Sequence, residues 1–132
     1  MVAPGIQQRV PADPDQVPRL RHAATSFAAP YCDDDTLQAV ALVVTEACSN
    51  VVRHAYPEGH GEFTLTARLD GIDIVFEVVD QGVGLDGSPP AEGLGMGLML
   101  MRRLAHAQIT SNGQGTRVEL RFSRRSPVVV GT

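Results

Sequence analysis

The chain is 132 residues long with a net charge of −4, 43% apolar and 20% charged residues, the proportions of one soluble globular domain with room for a single core. Its eleven basic residues are all arginine, which excludes a Walker A loop and the protein-kinase β3 lysine, since each sets a Lys ammonium on phosphate oxygens. The acidic balance excludes a broad basic face for DNA or RNA, and the longest apolar run, Ala39 to Val44, is too short to span a bilayer, so neither nucleic acid nor a membrane is an expected partner.

Residues 1–5 read as a frayed end with neither the basic nor the apolar region of a secretory leader, and a cytoplasmic protein is the expectation. Ile6 to Val10 reads as a short edge strand stopped by Pro11. The turn Pro11-Ala-Asp-Pro-Asp15 leads into a helix over Val17 to Ala29, with Val17, Leu20, Ala24, Phe27 and Ala28 on its apolar stripe, Arg19 and Arg21 on a solvated face, and Pro30 as its stop. The next helix has the strongest periodicity in the chain. Asp33-Asp-Asp35 supplies an N-cap and negative charge for the positive end of the helix dipole. Leu37, Val40, Ala41, Val44, Cys48, Val51 and Ala55 then recur at i, i+3, i+4, i+7, and the pattern runs to about Tyr56, where Pro57-Glu-Gly59 breaks it. Four apart and nearly opposite that stripe stand Glu46, Asn50 and His54, an acid, an amide and an imidazole in a row. Cys32 and Cys48 form no C-x-x-C pair, have no His at metal-ligand spacing, and read as small hydrophobes.

Strands follow. Phe63 to Leu69 alternates, Asp70-Gly71 signals a hairpin, and Ile72 to Val79 alternates again with Ile74, Phe76 and Val78 on one side. That strand delivers Asp80 directly before Gly82 and Gly84. Leu85 to Glu92, with Pro89-Pro90 inside and glycines at both ends, reads as a mobile lid. Gly93, Gly95 and Gly97 then open a helix from about Gly95 to His106, whose Leu94, Met96, Leu98, Met99 and Met101 read mostly as core. A strand over Gln108 to Ser111, a turn at Asn112-Gly113 and a last strand over Thr116 to Phe122 complete the pattern, with 124–132 as a flexible tail. The expected fold is α+β: a two-layer sandwich, one domain ordered over about 6–123, with three main helices packed on one face of a mixed, mostly antiparallel sheet.

The glycines need a reason, because inside a strand or helix each costs about 0.5–1 kcal/mol relative to alanine. They suit a backbone that turns sharply or comes close to a ligand, and the second cluster also opens a helix whose free N–H groups and positive dipole end suit an anion. A polyphosphate is the candidate.

Glu46-x-x-x-Asn50-x-x-x-His54 on a helix, Asp80-x-Gly-x-Gly84 after a strand and Gly93-x-Gly-x-Gly97 opening a helix resemble, in this order, the N, G1 and G2 boxes of the GHKL (Bergerat-fold) ATP-binding family. That family includes gyrases, histidine kinases, heat-shock chaperones and mismatch-repair ATPases. The short lid, the phrase Glu-Ala-Cys-Ser-Asn-Val-Val-Arg-His-Ala-Tyr56 and the closing Gly115-Thr116 look most like the stand-alone anti-sigma-factor serine kinases. The resemblance implies ATP and Mg²⁺ as cofactors, with Asn50 as the magnesium ligand, a role that suits a hard amide oxygen beside phosphate oxygens. It implies that Asp80 accepts the adenine amino group, that Thr116 supports the adenine end, and that Gly82 and Gly84 let backbone approach the nucleotide. Gly93, Gly95 and Gly97 would let the lid fold over the phosphates, with Met96 and Leu98 in the same ATP-binding stretch. Glu46, one turn before Asn50, suits a general base for an attacking hydroxyl or, alternatively, a group that orders a water. His54 lies near the phosphates or on the polar rim. One departure is His106, where an acid is expected after the last helix.

The implied function is a serine/threonine kinase that binds a sigma factor and phosphorylates a STAS-type anti-sigma antagonist, and the resemblance also implies a homodimer, as relatives of this kind often are. The alternatives are a nucleotide-gated protein-binding module without transferase activity and a detached histidine-kinase catalytic domain.

Overall fold

The computed structural model describes residues 5–83 and 94–124, with the backbone alone for residues 94–98. Alternation in the sequence builds strands β1 (Gly5–Pro11), β2 (Glu62–Asp70), β3 (Asp73–Asp80), β4 (His106–Asn112) and β5 (Gly115–Ser123), which join in the order β1-β2-β3-β5-β4. Every ladder among the described residues is antiparallel. Register sets the rows that face the core: Leu65, Val78, Val118 and Ile109 form one, Ala67, Phe76, Leu120 and Ala107 the next, and Leu69, Ile74 and Phe122 a third. The row at the opposite end is Phe63, Asp80, Thr116 and Ser111, so polar groups stand where the neighbouring rows place apolar ones. Asp80 is 7% exposed, the one buried charged residue among those described.

Helices α1 (Gln16–Ala28), α2 (Asp34–Asn50) and α3 (Leu94–Leu104) form the second layer. α1 buries Val17, Leu20, Ala24 and Ala28, close to the predicted stripe, and leaves Arg19 and Arg21 exposed. Phe27 meets Phe76 edge-on at 6.5 Å, and Phe76 meets Phe122 at 6.0 Å, which pins α1 to the sheet. Pro30 sits inside a short 3₁₀ turn, Ala29–Tyr31, rather than ending the chain of turns at once. Asp33 caps α2 as expected: its carboxylate accepts the Thr36 N–H at 2.8 Å, and that bond holds its carboxyl below the usual range.

α2 buries more than its single predicted stripe. Val43 and Ala47 join Val40, Val44 and Cys48 in the core, while Leu37 and Ala41 are only half-buried, because α2 packs against both α1 and α3 as well as the sheet. Burial pushes the Cys48 thiol up to about 12, so it remains a protonated core group at neutral pH. The helical pattern also ends differently. The α-helix stops at Asn50, and Val51–Ala55 form a π turn before the chain leaves at Tyr56. The last helix closes at Leu104 rather than His106, which instead opens β4, and Met99 is 61% exposed where Met101 is fully buried. The expected lid, Leu85 to Glu92, and the tail beyond Arg124 lie outside the described residues.

The other face of the sheet is covered by charge. Glu77 and Glu119 stand directly opposite each other, a repulsive pairing offset by Arg68, Arg117 and Arg121, and Arg121 also reaches Asp70 and Asp73 at 2.9 and 3.3 Å. Each of these partly exposed pairs contributes little, because solvent screens it. Val75, set between Arg68 and Arg121 by the register on that side, is nevertheless fully buried. Among the described residues no helix is long and apolar enough to cross a membrane.

Candidate nucleotide site

The end of α2 carries two unanswered polar atoms. Asn50 Oδ1 and His54 Nε2 are buried, and neither has a hydrogen-bond partner among the described residues. A buried polar atom left unpaired costs about 1–3 kcal/mol, so two such atoms four residues apart on one helix end mark a place whose partners are not among the described residues. The π turn between them is a departure from regular helix of the kind found at functional sites. One turn earlier, Glu46 has a side chain 29% exposed, and its Oε2 lies 3.9 Å from the guanidinium of the half-exposed Arg53. That long, solvated pair holds the carboxylate only weakly.

Asp80 ends β3 on the core face. Its Oδ1 accepts the Gly82 N–H at 3.0 Å and its carboxylate also takes the Thr116 N–H. Burial pushes its carboxyl above the usual carboxylate range, and these two N–H bonds oppose the shift without cancelling it. Beside it, Thr116 Oγ1 lies 3.0 Å from Ser111 Oγ. The turn after Asp80 is fastened to the end of α2, because the Val83 N–H donates to the Ala55 carbonyl at 2.9 Å. Gly82 is required there for space: a Cβ would sit 1.9 Å from the Ala55 oxygen. Gly115 is required twice over, with φ of +143° and a Cβ position 2.2 Å from the Asp80 carbonyl oxygen. Gly82→Ala is therefore expected to destabilise the fold by about 1–3 kcal/mol, read as a lower denaturant midpoint, because main chain cannot yield as a flexible side chain would.

Residues 10–122 match the histidine kinase-like ATPase domain. The chain belongs to that family. This ATPase-family domain is 32% identical over 83 residues to the serine-protein kinase RsbW of Bacillus cereus (strain ATCC 10987 / NRS 248), covering 61% of this chain and 51% of that protein. To the same-named kinase of Bacillus mycoides (strain KBAB4) it is 32% identical over 85 residues, covering 63% and 52%. The chain thus spans about half the length of the curated relatives it matches. Among solved structures it resembles the histidine kinase domain of the Erythrobacter litoralis EL346 blue-light activated histidine kinase, with a TM-score of 0.59, 19% identity and coverage of 83% of this chain and 59% of that one. The likeness in fold bears out the α+β, GHKL-type reading.

Within the domain, the fold brings Asn50, His54, Asp80, Gly82 and Thr116 to one end of the two layers, with Glu46 one turn behind. Gly95, Met96, Gly97 and Leu98 lie in the first turns of α3, which packs on α2, while Gly84 and Gly93 lie outside the described residues. Sequence reasoning gave no site role to Tyr56, Gly61 or Ser111. The Tyr56 hydroxyl accepts the Gln81 N–H at 3.0 Å and donates to the Glu62 carbonyl, and its ring lies where a Cβ on Gly61 would be. A tyrosine ending the long helix, with a glycine five residues on, was the available signal.

The Asp80 carboxyl, raised by burial, ties folding to pH. The native state holds this proton more tightly than the unfolded chain, so the contribution of Asp80 to stability is best at low pH and falls as pH rises from the ordinary aspartate range through its raised value. Asp80→Asn has no proton to lose and is expected to remove that part of the slope in unfolding free energy as pH rises above the ordinary aspartate range. An unchanged slope in denaturant titrations at stepped pH counts against the assignment.

Proposed function

We propose that this domain binds Mg²⁺ and ATP where the end of α2 meets the Asp80 turn, and transfers the γ-phosphoryl group to a serine of a STAS-type anti-sigma antagonist. A sigma factor is its second partner, and the protein acts in the cytoplasm, as a homodimer. The observation that carries the reading is the buried Oδ1 of Asn50, without a partner among the described residues, one helical turn beyond a loosely held carboxylate and beside the turn that presents Asp80.

The residues suit the group they would meet. Asn50 offers one hard oxygen, and among the described residues no group of three or more His, Cys, Asp or Glu side chains is placed to cage a metal, so the remaining ligands would be phosphate and water, as Mg²⁺ prefers. The cation supplies neutralisation of phosphate charge. Asp80 accepts the adenine amino group, which discriminates against a base with a carbonyl there. Thr116 and Ser111 line the same end, and the glycines of the α3 start bring backbone N–H groups toward the phosphates. Glu46 takes the proton of the attacking serine hydroxyl; the new bond joins that oxygen to the γ-phosphorus while the bond to the bridging oxygen breaks and ADP departs.

The relatives named serine-protein kinase support transfer to serine over transfer to histidine. A second reading, a nucleotide-gated binding module, draws on the Glu46–Arg53 pair, which gives the carboxylate a structural occupation. Calorimetry with ATP and magnesium, followed by incubation with labelled ATP and candidate antagonists, tests both. Acid-stable phosphoserine is the expected product. Tight nucleotide binding with no transfer favours the module, an acid-labile product favours a histidine kinase, and no heat of binding overturns all three.

A further inference from the structure

The turn after β3 has three successive amides, and each is held by a different group. Gln81 N–H goes to the Tyr56 hydroxyl, Gly82 N–H to the Asp80 carboxylate, and Val83 N–H to the Ala55 carbonyl. Two of the three anchors are consecutive residues where α2's extension ends. The ladder between β2 and β3 closes on the pair Phe63↔Asp80, so continuing it by one step would set Gln81 opposite Glu62. The Tyr56 hydroxyl occupies that step: it accepts from the Gln81 N–H and donates to the Glu62 carbonyl, relaying a bond the two strands would otherwise make directly. The ring is steadied against Gly61, where a Cβ would lie 2.3 Å from a ring carbon.

We infer that Tyr56 is a positioning residue of this site: its hydroxyl stops β2–β3 pairing at Asp80 and holds the following turn against the end of α2, which fixes the carboxylate that reads the base. The part of this inference that concerns adenine rests on the proposed function. The part that concerns the turn does not. Phenylalanine at this position keeps the ring against Gly61 and removes both hydrogen bonds of the relay. The strands then either pair one step further or leave the exposed Gln81 N–H to water, and in both cases the Val83–Ala55 bond loses the anchor beside it. The carboxylate of Asp80, tied to the Gly82 N–H inside the same turn, shifts with it.

The test compares the full chain with Tyr56→Phe in two measurements. In amide hydrogen exchange on the nucleotide-free protein, Val83 is expected to exchange at least tenfold faster in the variant, with circular dichroism confirming a folded protein. Val83 exchange within twofold of wild type overturns the inference whether or not nucleotide binds. In binding, the variant is expected to lose at least fivefold in its preference for ATP over GTP, a ratio that general loosening of the fold would not move. An unchanged ratio in a protein that binds ATP also overturns it. If the wild type binds neither nucleotide, the proposed function fails, and the exchange measurement still decides the role of Tyr56.

Discussion

Asn50→Ala is expected to abolish magnesium-dependent nucleotide binding while leaving the fold intact. The side-chain oxygen it removes is buried and has no partner among the described residues, so no hydrogen bond of theirs is broken. Deleting an unsatisfied acceptor from the end of a helix, and replacing it with the best helix former, brings the unfolding free energy to within about 1 kcal/mol of wild type or above it. Binding behaves oppositely. A hydrogen bond or ligation to a charged group is worth about 1.5–3 kcal/mol, which corresponds to a loss of roughly 10- to 150-fold in affinity. Calorimetry with ATP, with and without magnesium, separates the outcomes: wild type loses affinity when the metal is chelated, and the variant is already at that lower level. A variant that still gains affinity from magnesium would remove Asn50 from the metal site.

Glu46→Gln is expected to cut phosphoryl transfer by about 10²–10⁴-fold, the usual worth of a positioned general base, with ATP affinity within about threefold of wild type. Glutamine matches the shape of the carboxylate and cannot take a proton. The pair with Arg53 at 3.9 Å is long and half in water, so its loss should change stability by less than about 1 kcal/mol. Single-turnover transfer to the antagonist, measured beside equilibrium binding, checks both halves. Equal loss of transfer and binding would mean that Glu46 holds substrate, and transfer at the wild-type rate would mean that the base lies elsewhere.

What the sequence revealed and what it concealed follow from the range of each interaction. α1, the start of α2 and both hairpins were legible because their signals are local: the Asp33 cap reaches three residues, and Gly71 in the β2–β3 turn has φ of +60°. Asp80 was legible as the end of β3, because alternation with a period of two marks where a strand runs, while its burial was not foreseen. The burial of Val43 and Ala47 was hidden, since one stripe is all that a helix with one neighbour requires and α2 has neighbours on several sides. The π turn was hidden too, as Val51 and Ala55 are buried and satisfy a continued helical pattern. At the site, the box spacing pointed to Asn50, His54 and Gly82, but the reason Gly82 tolerates no side chain lies in the Ala55 carbonyl, distant in sequence. The Tyr56 relay spans 25 residues to Gln81 and leaves no periodic trace.

The widened turn at Val51–Ala55 has a consequence for how such a site can change over generations. A π turn holds one residue more than the α-helical turn it replaces. Losing a single residue there would leave everything up to Asn50 seated as before, yet would swing the chain beyond it by about 100°. The tyrosine and the Ala55 carbonyl would then face away from the β3 exit. The segment acts as a vernier between two halves of the molecule, letting the phosphate side and the base side be aligned by separate packing, and small insertions or deletions should be tolerated far less there than at the exposed Pro57–Gly59 bend that follows.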